Sequence, residues 1–343
     1  MNLIKPCKLN WGDTVGIVSP SSGLAATVPH RVERGIKMLS ELGLNARFST
    51  NALKQDGYVS GKAKERADDI NSFFLDKEIG AVITTIGGNH SNQILEYLDF
   101  ELIRKNPKIF VGYSDATVIH LALQRECSLS TFYGPALLTQ FGEYPEILSY
   151  TKEYFLKALY SSLPIGFIER SSAWTDEYLD WSFRRDLERP RKIYFNKKRI
   201  WLRKGYAKGR INGGCITSLQ HIKGTRYWPD FAGCIFFIDI PESEDLLHGV
   251  KPDIVDSLLT DLEILGAFKD IAGMVVGRSY RYTEDEDKAL FDIILECTKK
   301  YSFPILCNTE IGHTDPIITI PLGVETKLCS ETDTFQIMEA GVK

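Results

Sequence analysis

The sequence predicts an α/β fold in two parts. Residues 1–165 read as an N-terminal domain with a parallel sheet and flanking helices. Residues 166–343 read as a C-terminal α/β domain with a β-rich end, and a cleft lies between the two. Three observations lead there. Short β-rich runs alternate with helical patterns, which implies parallel strands joined by helical crossovers. Glycines and small polar residues follow several of those strands, where open α/β sheets bind ligands. The composition is that of an ordinary globular chain: 343 residues, 43% hydrophobic and 25% charged, with 41 Lys+Arg against 45 Asp+Glu.

Taken in order, Thr14–Ser19 is a buried strand ending in the turn Pro20-Ser21-Ser22-Gly23. Val28–Leu42 is an amphipathic helix stopped by Gly43, and Lys62–Leu75 is a second helix. Ala81–Ile86 is a strand, followed by Gly87-Gly88-Asn89 and a helical pattern toward Tyr97. Ile109–Val111 leads through Gly112-Tyr113-Ser114-Asp115-Ala116 into a helix reaching Leu123. Residues 164–210 change character, becoming aromatic and basic, with Trp174, Trp181, Arg191 and Trp201. Strands resume at Cys234–Ile240, Gly273–Val276 and Pro304–Cys307, with helices at Asp253–Leu265 and Glu284–Lys299. Ile317–Met338 reads as β-hairpins.

The net charge of −4 gives no general attraction to nucleic acid or to anionic lipid. No run of about 18 apolar residues suggests a membrane span. The seven cysteines are scattered without a Cys-x-x-Cys pair, and the first residues lack the apolar stretch of a secretory signal. Reduced thiols in a cytoplasmic protein are the expectation, with no disulfide framework, metal or cofactor. Gly57–Ala63 misses a phosphate-binding P-loop by one residue of spacing and by its final hydroxyl, and no His-Glu-x-x-His motif occurs.

The sharpest local signal is the strand–GYSDA–helix junction. A serine on a tight strand-to-helix turn is lifted clear of the sheet, provided its neighbours are small. Gly112 and Ala116 meet that need. The Asp115 N–H would open the helix, where an unpaired donor and the helix dipole favour a developing oxyanion. The plainer reading of Ser114 is a helix N-cap. Gly88 offers a second donor, Asn89 could touch ligand, and a simple tight turn is the competing reading. Of six histidines, His313 lies in a fixed loop after a strand, between Gly312 and Pro316, which suits a general base. Asp239 ends the very apolar strand CIFFIDI, where a carboxylate needs a partner. Glu242 is the competing acid.

Several stretches together resemble the serine LD-carboxypeptidases, including their microcin C immunity branch. They include GDTVGIVSPSSGL (12–24), TTIGGNHSNQILEYLD (84–99), KIFVGYSDATVIHLAL (108–123), GRINGGCITSLQHIKGTRYWPD (209–230) and NTEIGHTDPIITIPLG (308–323). The resemblance implies a serine peptidase with Ser114 as nucleophile, His313 as base and the Gly88 and Asp115 amides as oxyanion hole. It also implies a homodimer. Two departures stand out: the family's triad Glu falls at Asp239, and the Asn of a GGN-type turn falls at Cys215. The insert carrying Trp174, Trp181 and Trp201 resembles the microcin-immunity branch, where an aromatic side chain stacks on an adenylate-like substrate; ordinary packing is the competing reading for each. Implied substrates are an aminoacyl- or peptidyl-nucleotide amide or a murein tetrapeptide. A non-catalytic binding protein on the same scaffold and a generic α/β-hydrolase esterase are the remaining readings; the last requires one sheet running unbroken past residue 165.

Overall fold

The computed structural model describes residues 2–195 and 197–343. Its strands, in chain order, are β1 (Thr14–Val18), β2 (Asn45–Phe48), β3 (Ile79–Thr84), β4 (Ile109–Gly112), β5 (Phe132–Tyr133), β6 (Gly166–Phe167), β7 (Ala173–Trp174), β8 (Tyr194–Phe195), β9 (Ile200–Arg203), β10 (Tyr206–Cys215), β11 (Ile235–Asp239), β12 (Gly273–Gly277), β13 (Ile305–Thr309), β14 (Ile320–Pro321), β15 (Glu325–Cys329) and β16 (Thr334–Ile337).

Two large sheets result. The first has the order β14-β5-β4-β3-β1-β2, and β1 to β5 are mutually parallel. The second has the order β6-β16-β15-β10-β11-β12-β13-β9, with a parallel centre from β10 to β13. The generic esterase reading fails here, because among the described residues no strand between residues 134 and 319 joins the first sheet. Strands at both centres are buried on both faces. Val82, Phe110, Phe237 and Val275 are fully covered, and that apolar burial is the main stabilising term.

The helices Pro29–Glu41, Ala63–Leu75, Ala116–Cys127, Pro252–Ile264 and Glu284–Cys297 fall where periodicity and capping residues place them. Thr283 and Glu286, for example, close a reciprocal capping box before Glu284–Cys297.

Two expectations change. The helical pattern after Asn89 is a 3-10 helix, Ser91–Tyr97, whose first residues are tied down by a carboxylate described below. The C-terminal stretch yields one hairpin, β15–β16. Its first strand, β14, instead pairs antiparallel with β5 on the edge of the first sheet. A return strand of two residues carries no pattern by which sequence could assign its partner. It fastens the first sheet to the loop that follows β13.

Candidate active site

Both sheets turn the carboxyl ends of their parallel strands toward one cavity of about 290 Å³. After β3 comes the glycine loop, after β4 the serine turn, at the end of β11 Asp239, and after β13 the loop with His313. The cavity is lined by Gly87, Gly88, Ser114, Trp181, Glu242 and His313, among others.

Ser114 has φ +61°, a left-handed conformation that is uncommon outside glycine, Asn and Asp. The strand and helix around it pack tightly. A Cβ on Gly112 would sit 2.5 Å from Thr84 Oγ1 and 3.0 Å from Ala116 Cβ, so both neighbours must be small. The serine N–H donates to Tyr133 Oη at 3.1 Å. The glycine loop lies against it: a Cβ on Gly87 would be 2.8 Å from Ser114 Oγ and 3.2 Å from the Asp115 nitrogen. Neither the Gly88 N–H nor the Asp115 N–H donates to a backbone acceptor among the described residues.

The Asp115 side chain has a task that sequence reasoning missed. Its Oδ2 accepts from the His90 N–H at 2.9 Å and the Ser91 N–H at 2.8 Å. The carboxylate thereby clamps the start of the 3-10 helix, and the glycine loop before it, onto the serine turn. The signal in the sequence was an acid directly after a turn serine, read only for its amide.

His313 is nearly enclosed, with 3% of its side chain exposed. Its Nδ1 is 3.3 Å from Asp239 Oδ2, an ion-pair distance whose N–H is not aligned as a hydrogen bond. Its Nε2 is 3.8 Å from Glu242 Oε2. Gly312 makes the approach possible: it has φ +91°, and a Cβ there would lie 2.1 Å from Asp239 Oδ2. Burial alone would lower the imidazole pKa, but the charges of Asp239 and Glu242 outweigh it and raise it to about 9. Tyr133 Oη donates to Asp239 Oδ2 at 2.6 Å. Burial, and then the Asp239 charge, push the phenol pKa well above its usual value, so the hydroxyl stays protonated. One hydroxyl thus bridges the serine turn and the acid at the end of β11, a role that the sequence does not reveal.

The aromatic insert covers the cavity. Thr175 and Asp315 exchange backbone hydrogen bonds at 2.7 and 2.8 Å, tying the insert to the His313 loop. Of its tryptophans, Trp181 lines the cavity and has the Arg31 guanidinium 4.1 Å from its ring centroid. Trp174 packs on Tyr194 in the β7–β8 ribbon, and Trp201 donates to Asp333 from β9; neither lines the cavity. Asn89 is exposed and also lies outside the lining.

The cavity carboxylates, absent from the sequence reading apart from Glu242, are mostly neutralised. Arg191 reaches Glu143 at 2.9 Å and Asp315 at 2.5 Å. Asp186 pairs with Arg31 and Arg34, and Glu177 with Arg189. Among the described cavity acids, Glu242 is the one without an Arg or Lys partner.

A serine held in a strained strand-to-helix turn, facing a buried histidine across a two-sheet cleft, defines a serine-type hydrolase. Residues 15–134 match the LD-carboxypeptidase N-terminal domain and residues 208–328 the LD-carboxypeptidase C-terminal domain. The chain therefore belongs to the LD-carboxypeptidase family and is a serine-type carboxypeptidase. It is 31% identical over 331 residues to the microcin C7 self-immunity protein of Escherichia coli, covering 96% of this chain and 94% of that one. It is 30% identical over 341 residues to a Bacillus subtilis protein named "Probable murein peptide carboxypeptidase", covering 98% and 95%. A solved structure of the microcin C7 self-immunity protein with aspartyl sulfamoyl adenosine matches with a TM-score of 0.91 at 30% identity, over 99% of this chain and 100% of that one. Among the described residues, no helix is long and apolar enough to cross a membrane.

Proposed function

We propose that this chain hydrolyses the amide of an aminoacyl- or peptidyl-nucleotide compound, with Ser114, His313 and Asp239 as its triad. His313 Nε2 takes the proton of Ser114 Oγ as the oxygen attacks the amide carbonyl. The N–H groups of Gly88 and Asp115 hold the developing oxyanion. Asp239, at the Nδ1 side, stabilises the imidazolium. The imidazolium then protonates the leaving amine, and water releases the acyl group.

Asp239 is favoured over Glu242 because an orienting acid must meet the nitrogen that the serine does not use. Glu242 faces that other nitrogen and the cavity. With no Arg or Lys partner among the described residues, and His313 on one side, its charge suits a single ammonium group on the substrate.

The observation that carries the substrate class is the position of Trp181. One ring face rests on Arg31 while the side chain lines the cavity shared by Ser114 and His313. A flat apolar ring beside the scissile bond suits a nucleobase. The murein reading keeps one argument, the relative named for murein peptides. Against it, a murein tetrapeptide supplies no base for Trp181.

The test is direct. Purified protein is offered an aminoacyl sulfamoyl nucleoside and, separately, a murein tetrapeptide. Cleavage of the first, reduced at least ~10³-fold by Ser114→Ala, supports the proposal. Cleavage of the tetrapeptide alone, or full turnover by Ser114→Ala, overturns it.

The reading also keeps the division into two domains near residue 165, a cytoplasmic location and a homodimer. Sedimentation at micromolar concentration tests the last.

A further inference from the structure

We propose that Cys215, Asp239 and His313 form an inhibitory binding site for a zinc-class divalent ion, which switches the peptidase off. The three residues are far apart along the chain, so no spacing motif announces them. In space their ligand atoms, a sulfur, a carboxylate oxygen and a ring nitrogen, all lie within 4.8 Å of one another, and all three residues are buried or nearly so. Cys215 and Asp239 are register partners at the ends of β10 and β11.

Several features mark the trio as a preformed site. Among the described residues, Asp239 Oδ1 is buried and has no hydrogen-bond partner, and the one contact of the buried His313 Nδ1 is the unaligned ion pair with Asp239 Oδ2. Buried polar atoms left in that state usually answer to a ligand or a water. The backbone of Cys215 is fixed, because its N–H donates to Thr117 Oγ1 at 3.0 Å, on the helix that follows Ser114. Asp239 is fixed by Tyr133, and His313 by the Gly312 turn.

The donor chemistry selects the ion. A thiolate, an imidazole and a carboxylate suit zinc, cobalt or cadmium rather than magnesium or calcium. Nitrogen and oxygen ligands about 2.0 Å from a tetrahedral zinc are about 3.3 Å apart, and His313 Nδ1 and Asp239 Oδ2 are 3.3 Å apart here. Binding displaces the thiol proton and any proton on Nδ1. Two anionic donors then offset the charge of the dication. His313, the member on the cavity wall, is the entry point.

The inhibitory consequence rests on the proposed triad, since an ion on Nδ1 takes the place where Asp239 serves the imidazole. The binding itself does not, and two readouts separate them. Metal-free protein is titrated with Co²⁺ and followed by absorption. Wild type should develop the near-ultraviolet thiolate-to-cobalt charge-transfer band together with tetrahedral visible bands. Cys215→Ser and Cys215→Ala should show no charge-transfer band while unfolding at the wild-type temperature. In parallel, Zn²⁺ should inhibit amide hydrolysis by wild type, and Cys215→Ser should raise the inhibition midpoint at least ~10-fold while retaining metal-free turnover. Absence of the charge-transfer band in folded wild type overturns the site. So does an unchanged Zn²⁺ midpoint in Cys215→Ser. Should wild type hydrolyse no amide at all, the proposed function fails, and the cobalt spectrum still decides the metal site.

Discussion

Replacing Glu242 by Gln removes one of the charges that hold the His313 pKa at about 9. A base protonated at neutral pH works poorly, so kcat/KM of the wild type should rise with pH and level off near that value. Glu242 Oε2 is 3.8 Å from His313 Nε2. At that separation, unit charges attract by about 1 kcal/mol in bulk water and about 4 kcal/mol at an effective dielectric of ~20. At 1.36 kcal/mol per pKa unit, this spans roughly 1 to 3 units. About a third of the Glu242 side chain is exposed (32%), so solvent screening favours the lower end, a drop of about one unit. The assay is kcat/KM against pH, from about 6 to about 10, for wild type and Glu242→Gln. The acid limb of the variant should move to lower pH by about one unit. An unmoved limb, or one moved upward, would refute the reasoning that Glu242 charges against the reacting nitrogen.

Four further outcomes follow from the same geometry. The raised His313 pKa means that its protonated form is bound more tightly in the folded chain. That stability is fully present below the ordinary value of 6.5 and is lost as pH rises through about 9. The difference is about 3 kcal/mol and should vanish from urea titrations of His313→Ala. Tyr133→Phe removes a hydrogen bond to the acid and the acceptor of the serine N–H. A hydrogen bond to a charged group contributes about 1.5–3 kcal/mol, so kcat should fall about 10- to 150-fold with KM little changed; steady-state kinetics read the split. Trp181→Ala should raise KM for a nucleotide-bearing substrate by about 5- to 150-fold, the range of one base stack, and leave a murein tetrapeptide unaffected. Gly312→Ala should fold with difficulty or lose turnover, since the new methyl meets Asp239; thermal unfolding alongside activity distinguishes the two.

How much of this was legible in the sequence depends on whether the information is local. The elbow was, because Gly112, Ser114 and Ala116 stand within five residues and their small size has a steric cause. The helices were, because capping and periodicity are local as well. Asp239 and His313 could be nominated, each by its place at a strand end. The choice of Asp239 over Glu242 needed space, since it turns on which ring nitrogen each carboxylate meets. The tryptophans could not be sorted: Trp174, Trp181 and Trp201 share one insert and one composition, and only the fold sends Trp181 to the cavity. Tyr133 was hidden because its short strand looks like any buried edge. Arg191, Glu143 and Asp315 were hidden because their pairing joins three segments distant along the chain, with Arg191 and Asp315 124 residues apart. β14 was misread because two residues cannot declare which sheet they join.

The central claim is that Ser114 Oγ is a nucleophile activated by His313 across the cleft. Mass spectrometry of the protein after exposure to a fluorophosphonate tests it most directly. The account predicts one phosphonyl adduct, on Ser114, formed by wild type and lost when His313 is replaced by Ala. An adduct elsewhere, or undiminished labelling of Ser114 without His313, would contradict it.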